Sequence, residues 1–391
     1  MPCPLRGCGG VNCAGAINMT KTVSGERFTV TYILSGGRDD ALAAAEDICI
    51  EQTVEFPPEL IKDDFIRGNI FGRVETFSET DENTFSAEIS FAVETSASEV
   101  TQLFNVMLGN ISLKPGIKIR DISLPTRFAS QFKGPGFGVN GLRDILNAHN
   151  RPLISSAIKP MGLSSSDFAD LAYRFAIGGM DIIKDDHGLS DQKFSPFMER
   201  VKMCCDAVNR ANSETGGKTL YFPNITAPCR EVIDRAYFAK GLGAGGVLIS
   251  PALTGFDVMK HLADDENFGL PVMSHPAFIG SYLSGSAGFT HGALLGKIMR
   301  LCGADIVVYP NFGGRFSFSK DECLDIVDKC RSEFSGFKTI FPCPGGGMNF
   351  SNIPEMKSFY GDDVIYLMGG GLFRRSDDLV ANCRELRSMV L

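Results

Sequence analysis

The feature that most constrains this chain is a set of eight short apolar runs separated by stretches of helical periodicity: LISSAIKP, MDIIKDD, TLYFPNIT, GGVLISP, LPVMSHP, DIVVYPN, KTIFPCPG and VIYLMGGG. Runs that are apolar at nearly every position are strands buried on both faces, and strand-helix alternation forces parallel pairing. The intervening segments read as helices, among them SSSDFADLAYRFAIGG, PFMERVKMCCDAVNRAN, PCREVIDRAYFAKGLG and SKDECLDIVDKCRSEF. Eight such units over roughly 220 residues match the size of a (β/α)₈ barrel. The expected class is therefore α/β, with a C-terminal (β/α)₈ TIM barrel.

Upstream the pattern changes. RFTVTYIL alternates, DDALAAAEDICIEQ is helical, and NIFGRVETF with TFSAEISFAV reads as a hairpin. These predict a smaller N-terminal α+β (ferredoxin-like) domain over residues 25–130. The Gly- and Pro-rich ASQFKGPGFGVNG marks the boundary to a barrel over residues 131–391, and residues 1–24 read as a flexible leader. Cys3, Cys8 and Cys13 in that leader have no neighbouring histidine or fourth cysteine to complete a tetrahedral metal site. Twelve cysteines scattered over 391 residues do not form the framework of a short secreted scaffold, so a reduced, cytoplasmic protein is expected. A net charge of −8 argues against nucleic acid or anionic membrane as a partner, and no long apolar run suggests a membrane span. A small-molecule ligand is the expected partner.

In barrels of this kind the C-terminal strand ends carry the chemistry. Strand one ends at Lys159; strand two ends at Lys184, Asp185, Asp186 and His187. A lysine inside an apolar strand demands pairing, neutralisation or modification, and a structural salt bridge competes with a catalytic reading. Strand three supplies Asn224 and strand five His275, while strand six leads into PNFGGRFSFS with Arg315. Strands seven and eight end in Gly345-Gly346-Gly347 and Gly369-Gly370-Gly371. Successive glycines let backbone N–H groups approach an anion, and the loops after the last two strands commonly hold phosphate.

At these residues the sequence resembles the large subunit of ribulose bisphosphate carboxylase, and more closely its RuBisCO-like, or form IV, relatives. FKGPGFGVNGLRDIL, AIKPMGLS, GGMDIIKDDHGLSDQKFSPFMERV, NITAP, ALTGF and LMGGG follow the family pattern in order. The resemblance implies that Lys159 moves protons during enolisation, and that Lys184 corresponds to the lysine carboxylating members convert to a carbamate. It further makes Asp186 a ligand of Mg²⁺, His275 an active-site histidine, Asn224 a substrate contact and the glycines phosphate sites. Asn110, with Glu51, corresponds to a group that reaches into the neighbouring subunit's barrel, so a head-to-tail homodimer is implied.

Departures from the carboxylases limit the function. Their second strand-one lysine is absent from KPMGLS, Arg315 stands where their mobile loop presents a lysine, and Pro276 follows His275 where they carry arginine. His187 replaces a glutamate ligand, which weakens Mg²⁺ binding or favours Mn²⁺. The sequence therefore reads as a non-carboxylating enzyme that forms an enolate on a phosphorylated ketone. Because Asn110 cannot act as a base, the leading reading is a decarboxylase or hydrolase of 3-oxo-isoapionate 4-phosphate type. The methionine-salvage enolase or isomerase is the alternative, open to rescue by another lysine in the pocket, and a catalytically silent homologue is a third class.

Overall fold

The structure, a computed structural model, describes residues 21–391 apart from 315 and 317. Most of the leader, with its three cysteines, and Arg315 thus lie outside the described residues. The nine described cysteines are all unpaired. Among the described residues no helix is long and apolar enough to cross a membrane.

The N-terminal sheet is built from β1 (Arg27–Ser35), β2 (Arg73–Asp81), β3 (Thr84–Ala92) and β4 (Ile117–Ser123). Strict alternation in β1 buries Phe28, Val30, Tyr32 and Leu34 on one face, against the helices Arg38–Glu51 and Val100–Leu108. The spatial order β4-β1-β3-β2, antiparallel throughout, is the split-βαβ arrangement of ferredoxin-like folds. A two-residue strand from the barrel half of the chain, β10 (Gly288–Phe289), extends this sheet by pairing parallel with β4. Asp121 strengthens the junction by ion-pairing Lys297 and Lys329.

The barrel consists of β5 (Leu153–Ile158), β6 (Ile182–Asp185), β7 (Leu220–Phe222), β8 (Val247–Ile249), β9 (Val272–Ser274), β11 (Ile306–Pro310), β12 (Phe341–Gly345) and β13 (Ile365–Leu367). All eight apolar runs are strands, every neighbouring pair is parallel, and β13 pairs with β5. Closure between β7 and β8 is made by Leu248 N donating to Pro223 O at 2.9 Å and Ile225 N donating to Leu248 O at 2.9 Å. Two of the outer helices start at capping boxes, Ser164 with Asp167 and Ser319 with Glu322, which satisfy otherwise orphaned N–H groups.

The two ends of the barrel differ. Helix Gly138–Leu146 closes the N-terminal end, where Val139, Leu142 and Leu146 join the inward layer formed by Leu153, Ile182 and Phe222. Buried Asp305 secures that plug by accepting from the amides of Phe137 and Gly138 at 2.7 Å and of Val272 at 2.9 Å. The opposite end opens into a cavity of about 1240 Å³.

Candidate active site

Strand periodicity assigns the side chains of β6. Ile182 and Lys184 point into the barrel with Asp186, whereas Ile183 and Asp185 point outward to the helix layer. Asp185 is accordingly fully buried and structural: it pairs with Arg200 at 3.2 Å and accepts from Tyr221 Oη at 2.7 Å and Asn224 N at 3.0 Å. Of the two strand-two carboxylates, only Asp186 faces the cavity.

Lys184 is 2% exposed, and its ammonium donates to Asp185 O at 3.0 Å. Burial, opposed by Asp186 and reinforced by the charge of Lys159, pulls its pKa down to about 8. Asp186 lies 2.6 Å from Lys159 Nζ in a close ion pair that is not aligned as a hydrogen bond, and it accepts from Gly188 N at 3.1 Å. Burial acts to raise the Asp186 pKa, but Lys159 and the Gly188 amide outweigh it and hold the carboxyl below its ordinary value.

His187 and His275 stack with ring centroids 4.3 Å apart and planes within 10°. His187 Nδ1 also stands 3.5 Å from Asp186 Oδ1. His275 is kept neutral by burial and by the nearby positive charge of Lys184. Its Nδ1 accepts from Ala277 N at 3.1 Å, which leaves the proton of the neutral ring on Nε2, so His275 can donate there but not accept.

The glycine segments behave as backbone surfaces. Gly347 approaches Gly314 so closely that an added Cβ would lie 2.7 Å from the Gly314 Cα, while Gly346 has φ +81°. A Cβ on Gly369 or Gly370 would meet nothing within 4 Å. All six triplet glycines line the cavity.

Asn224 does not line it. Its side chain is 1% exposed and donates to His187 O at 3.0 Å and Leu189 O at 2.8 Å, so it holds the loop that carries His187. Asn110 and Glu51 also lie outside this chain's cavity, joined to each other at 3.0 Å on the N-terminal domain, with Glu55 accepting a second bond from Asn110 at 3.3 Å. Two further groups of lining residues were not singled out from the sequence. One is Arg374 and Arg375, just beyond the last glycine triplet; the other is an apolar wall that includes Phe278, Phe316 and Phe350. The RR pair following GGGLF was a readable signal for the first. The wall had none, because its members come from loops after three different strands.

Four described cations, Lys159, Lys184, Arg374 and Arg375, line the cavity against one carboxylate, Asp186. In a chain of net charge −8 this concentration of positive charge, beside open backbone amides, is suited to an anionic ligand. Among the described residues no three His, Cys, Asp or Glu side chains are grouped to hold a metal ion. Asp186 and His187 alone provide one charged and one neutral donor. A carbamate on Lys184 would add the second negative oxygen donor that a hard divalent ion needs.

A closed parallel barrel with the buried Lys184, stacked imidazoles and paired glycine segments at its C-terminal rim has its polar cavity at the end where barrels of this kind place their chemistry. Residues 138–389 match the family described as ribulose bisphosphate carboxylase large chain, catalytic domain, and the chain belongs to that family as one of its RuBisCO-like proteins. It is 36% identical over 355 residues to a 5-methylthioribulose-1-phosphate isomerase of Rhodospirillum rubrum, covering 90% of this chain and 93% of the relative. It is 31% identical over 372 residues to a 2,3-diketo-5-methylthiopentyl-1-phosphate enolase of Bacillus pumilus, covering 92% and 91%. The crystal structure of a Rubisco-like protein from Rhodopseudomonas palustris superimposes with a TM-score of 0.84 at 36% identity, covering 93% of this chain and 97% of that one.

Proposed function

We propose that this chain is an isomerase or enolase acting on a phosphorylated ketose, of the kind that handles 5-methylthio-pentulose phosphates. The observation that carries this reading is the pair of lysines with separated roles at the cavity floor. The decarboxylase reading rested on Asn110 being unable to act as a base. The cavity itself holds another candidate base: Lys184, with a pKa near 8, is a neutral amine at modest cost close to neutral pH. Lys159, held against Asp186 at 2.6 Å, is the complementary ammonium.

In this mechanism the glycine amides hold the phosphate and the apolar wall takes the uncharged end of the substrate. The Lys184 amine removes the proton next to the ketone. Negative charge then develops on the carbonyl oxygen, where the Lys159 ammonium and the Nε2–H of His275 are the available donors. Passing the adjacent hydroxyl proton to the enediolate oxygen and returning the carbon-bound proton to the former carbonyl carbon shifts the carbonyl and completes an isomerisation. Carbamylation is the competing fate of the same amine: Lys184 as a carbamate, with Asp186 and His187, would hold Mg²⁺ or Mn²⁺, which would supply additional charge to the enolate oxygen. Carboxylation of ribulose bisphosphate is not part of this reading, since Met161 follows Pro160 where a second lysine is required.

The relatives' names and the aromatic wall support an apolar substituent opposite a single phosphate. The Asn110–Glu51 pair supports a homodimer, because both residues lie outside this chain's own cavity and match a group that reaches into a neighbouring subunit.

The test is proton exchange followed by NMR in D₂O, with 5-methylthioribulose 1-phosphate, 2,3-diketo-5-methylthiopentyl 1-phosphate and 3-oxo-isoapionate 4-phosphate as substrates, each with and without CO₂ and Mg²⁺ or Mn²⁺. Deuterium entering next to the carbonyl of either methylthio compound, followed by product, is expected. CO₂ release from the third compound alone would restore the decarboxylase reading.

A further inference from the structure

The cavity's four described cations are not equivalent. Lys159 is committed to Asp186 at 2.6 Å and Lys184 to the Asp185 carbonyl at 3.0 Å. Arg375 grips Glu385 with both Nε, at 2.9 Å, and Nη2, at 2.5 Å, and stacks over the Phe350 ring. Arg374 differs: its backbone N donates to Gly370 O at 3.1 Å, and its guanidinium makes no hydrogen bond or ion pair among the described residues. That amide bond places Arg374 one turn beyond Gly370, whose α-carbon opens onto free space.

Glycine amides offer hydrogen bonds but no net charge, and a phosphate dianion leaving water needs a cationic partner to offset its desolvation. A guanidinium supplies that charge with a planar fork suited to two phosphate oxygens. We infer that Arg374 is the specificity-determining cation of this site, closing on the phosphate that the Gly345–347 and Gly369–371 segments cradle. Arg375 is its structural neighbour and holds the segment through Glu385. The inference rests on the proposed phosphate site and deepens it: the ligand is a dianionic monoester, discriminated from a neutral sugar by the charge of Arg374.

The test is calorimetric titration of the full chain with inorganic phosphate, comparing wild type with Arg374→Met, Arg374→Lys, Arg375→Met and Gly370→Val. The expected result is an affinity about 10- to 100-fold weaker in Arg374→Met, partial recovery in Arg374→Lys, and a change of about threefold or less in Arg375→Met. Arg374 and Gly370 are both exposed to open space, so these variants should fold, which thermal melts will verify. Wild-type affinity in Arg374→Met alongside weak binding by Gly370→Val would overturn the role of Arg374 and leave the glycine site standing. A larger loss in Arg375→Met than in Arg374→Met would overturn the inference as well. No phosphate binding by wild type, or equal binding by all variants, would overturn both the site and the inference.

Discussion

The two ends of the barrel solve the same problem, a buried charge, in opposite ways. At the closed end Asp305 is 1% exposed, and burial raises its carboxyl pKa, but three backbone N–H donors oppose that shift. At the open end Lys184 is equally buried but has a single backbone acceptor, and its charged form is disfavoured enough to bring the pKa to about 8. A buried group held by several backbone donors outside the cavity braces the fold. An under-satisfied one is available for chemistry, and the surrounding structure offsets its unfavourable burial.

The largest effect should come from the open end. Lys159→Met and Lys184→Met are each expected to lower the rate of substrate-dependent deuterium exchange by about 10³-fold while leaving the melting temperature within a few degrees or higher. Retention of exchange within about tenfold in both variants would remove the lysines from the mechanism.

At the closed end the signature reverses. Asp305→Ala strands three buried amides and should destabilise the chain by about 3–5 kcal/mol in urea unfolding, with turnover per folded molecule nearly unchanged. A variant as stable as wild type would mean that the helix Gly138–Leu146 is held by its apolar contacts alone.

A subtler difference lies in pH. The folded chain holds Lys184 near 8 and the unfolded chain holds a lysine near about 10.4, so between these values the unfolded state binds more protons and the residue's contribution to stability rises with pH. Below about 8 the penalty is present in full. Lys184→Met should therefore exceed wild type in stability by on the order of 2–3 kcal/mol at pH 7, a gap that closes towards pH 10.5. A gap independent of pH would mean that the amine is not held in its neutral form.

The smallest expected change concerns the metal. If Lys184 is carbamylated, His187→Glu supplies a third oxygen donor, and the ratio of activity with Mg²⁺ to that with Mn²⁺ should rise severalfold. An identical ratio in the two proteins would show that His187 is not a ligand.

Much of this architecture was legible beforehand because barrel strands buried on both faces leave continuous apolar runs in the sequence. The period-2 rule applied to MDIIKDD could also have separated Asp186 from Asp185, since Ile182, Lys184 and Asp186 share a face. β10 left no such mark: two residues, Gly288 and Phe289, carry no periodicity, and their pairing with β4 spans a separation of about 170 residues in sequence. Nor could Asn224 be seen as the brace of the β6 loop, because its partners are main-chain carbonyls that any sequence would present.

By itself, then, the sequence determined the number and order of the barrel strands, the polar residues at their ends and the glycine segments, all of which are local consequences of burial and backbone freedom. Tertiary structure alone decided which of those polar residues are spent on one another. Asp185 is consumed by Arg200 and Tyr221, and Arg375 by Glu385, while Lys184 is left poised and the Arg374 guanidinium has no ion-pair partner among the described residues. The physical reason is that a side chain's charge state and availability depend on desolvation and on partners brought from distant parts of the chain, and no local pattern records either.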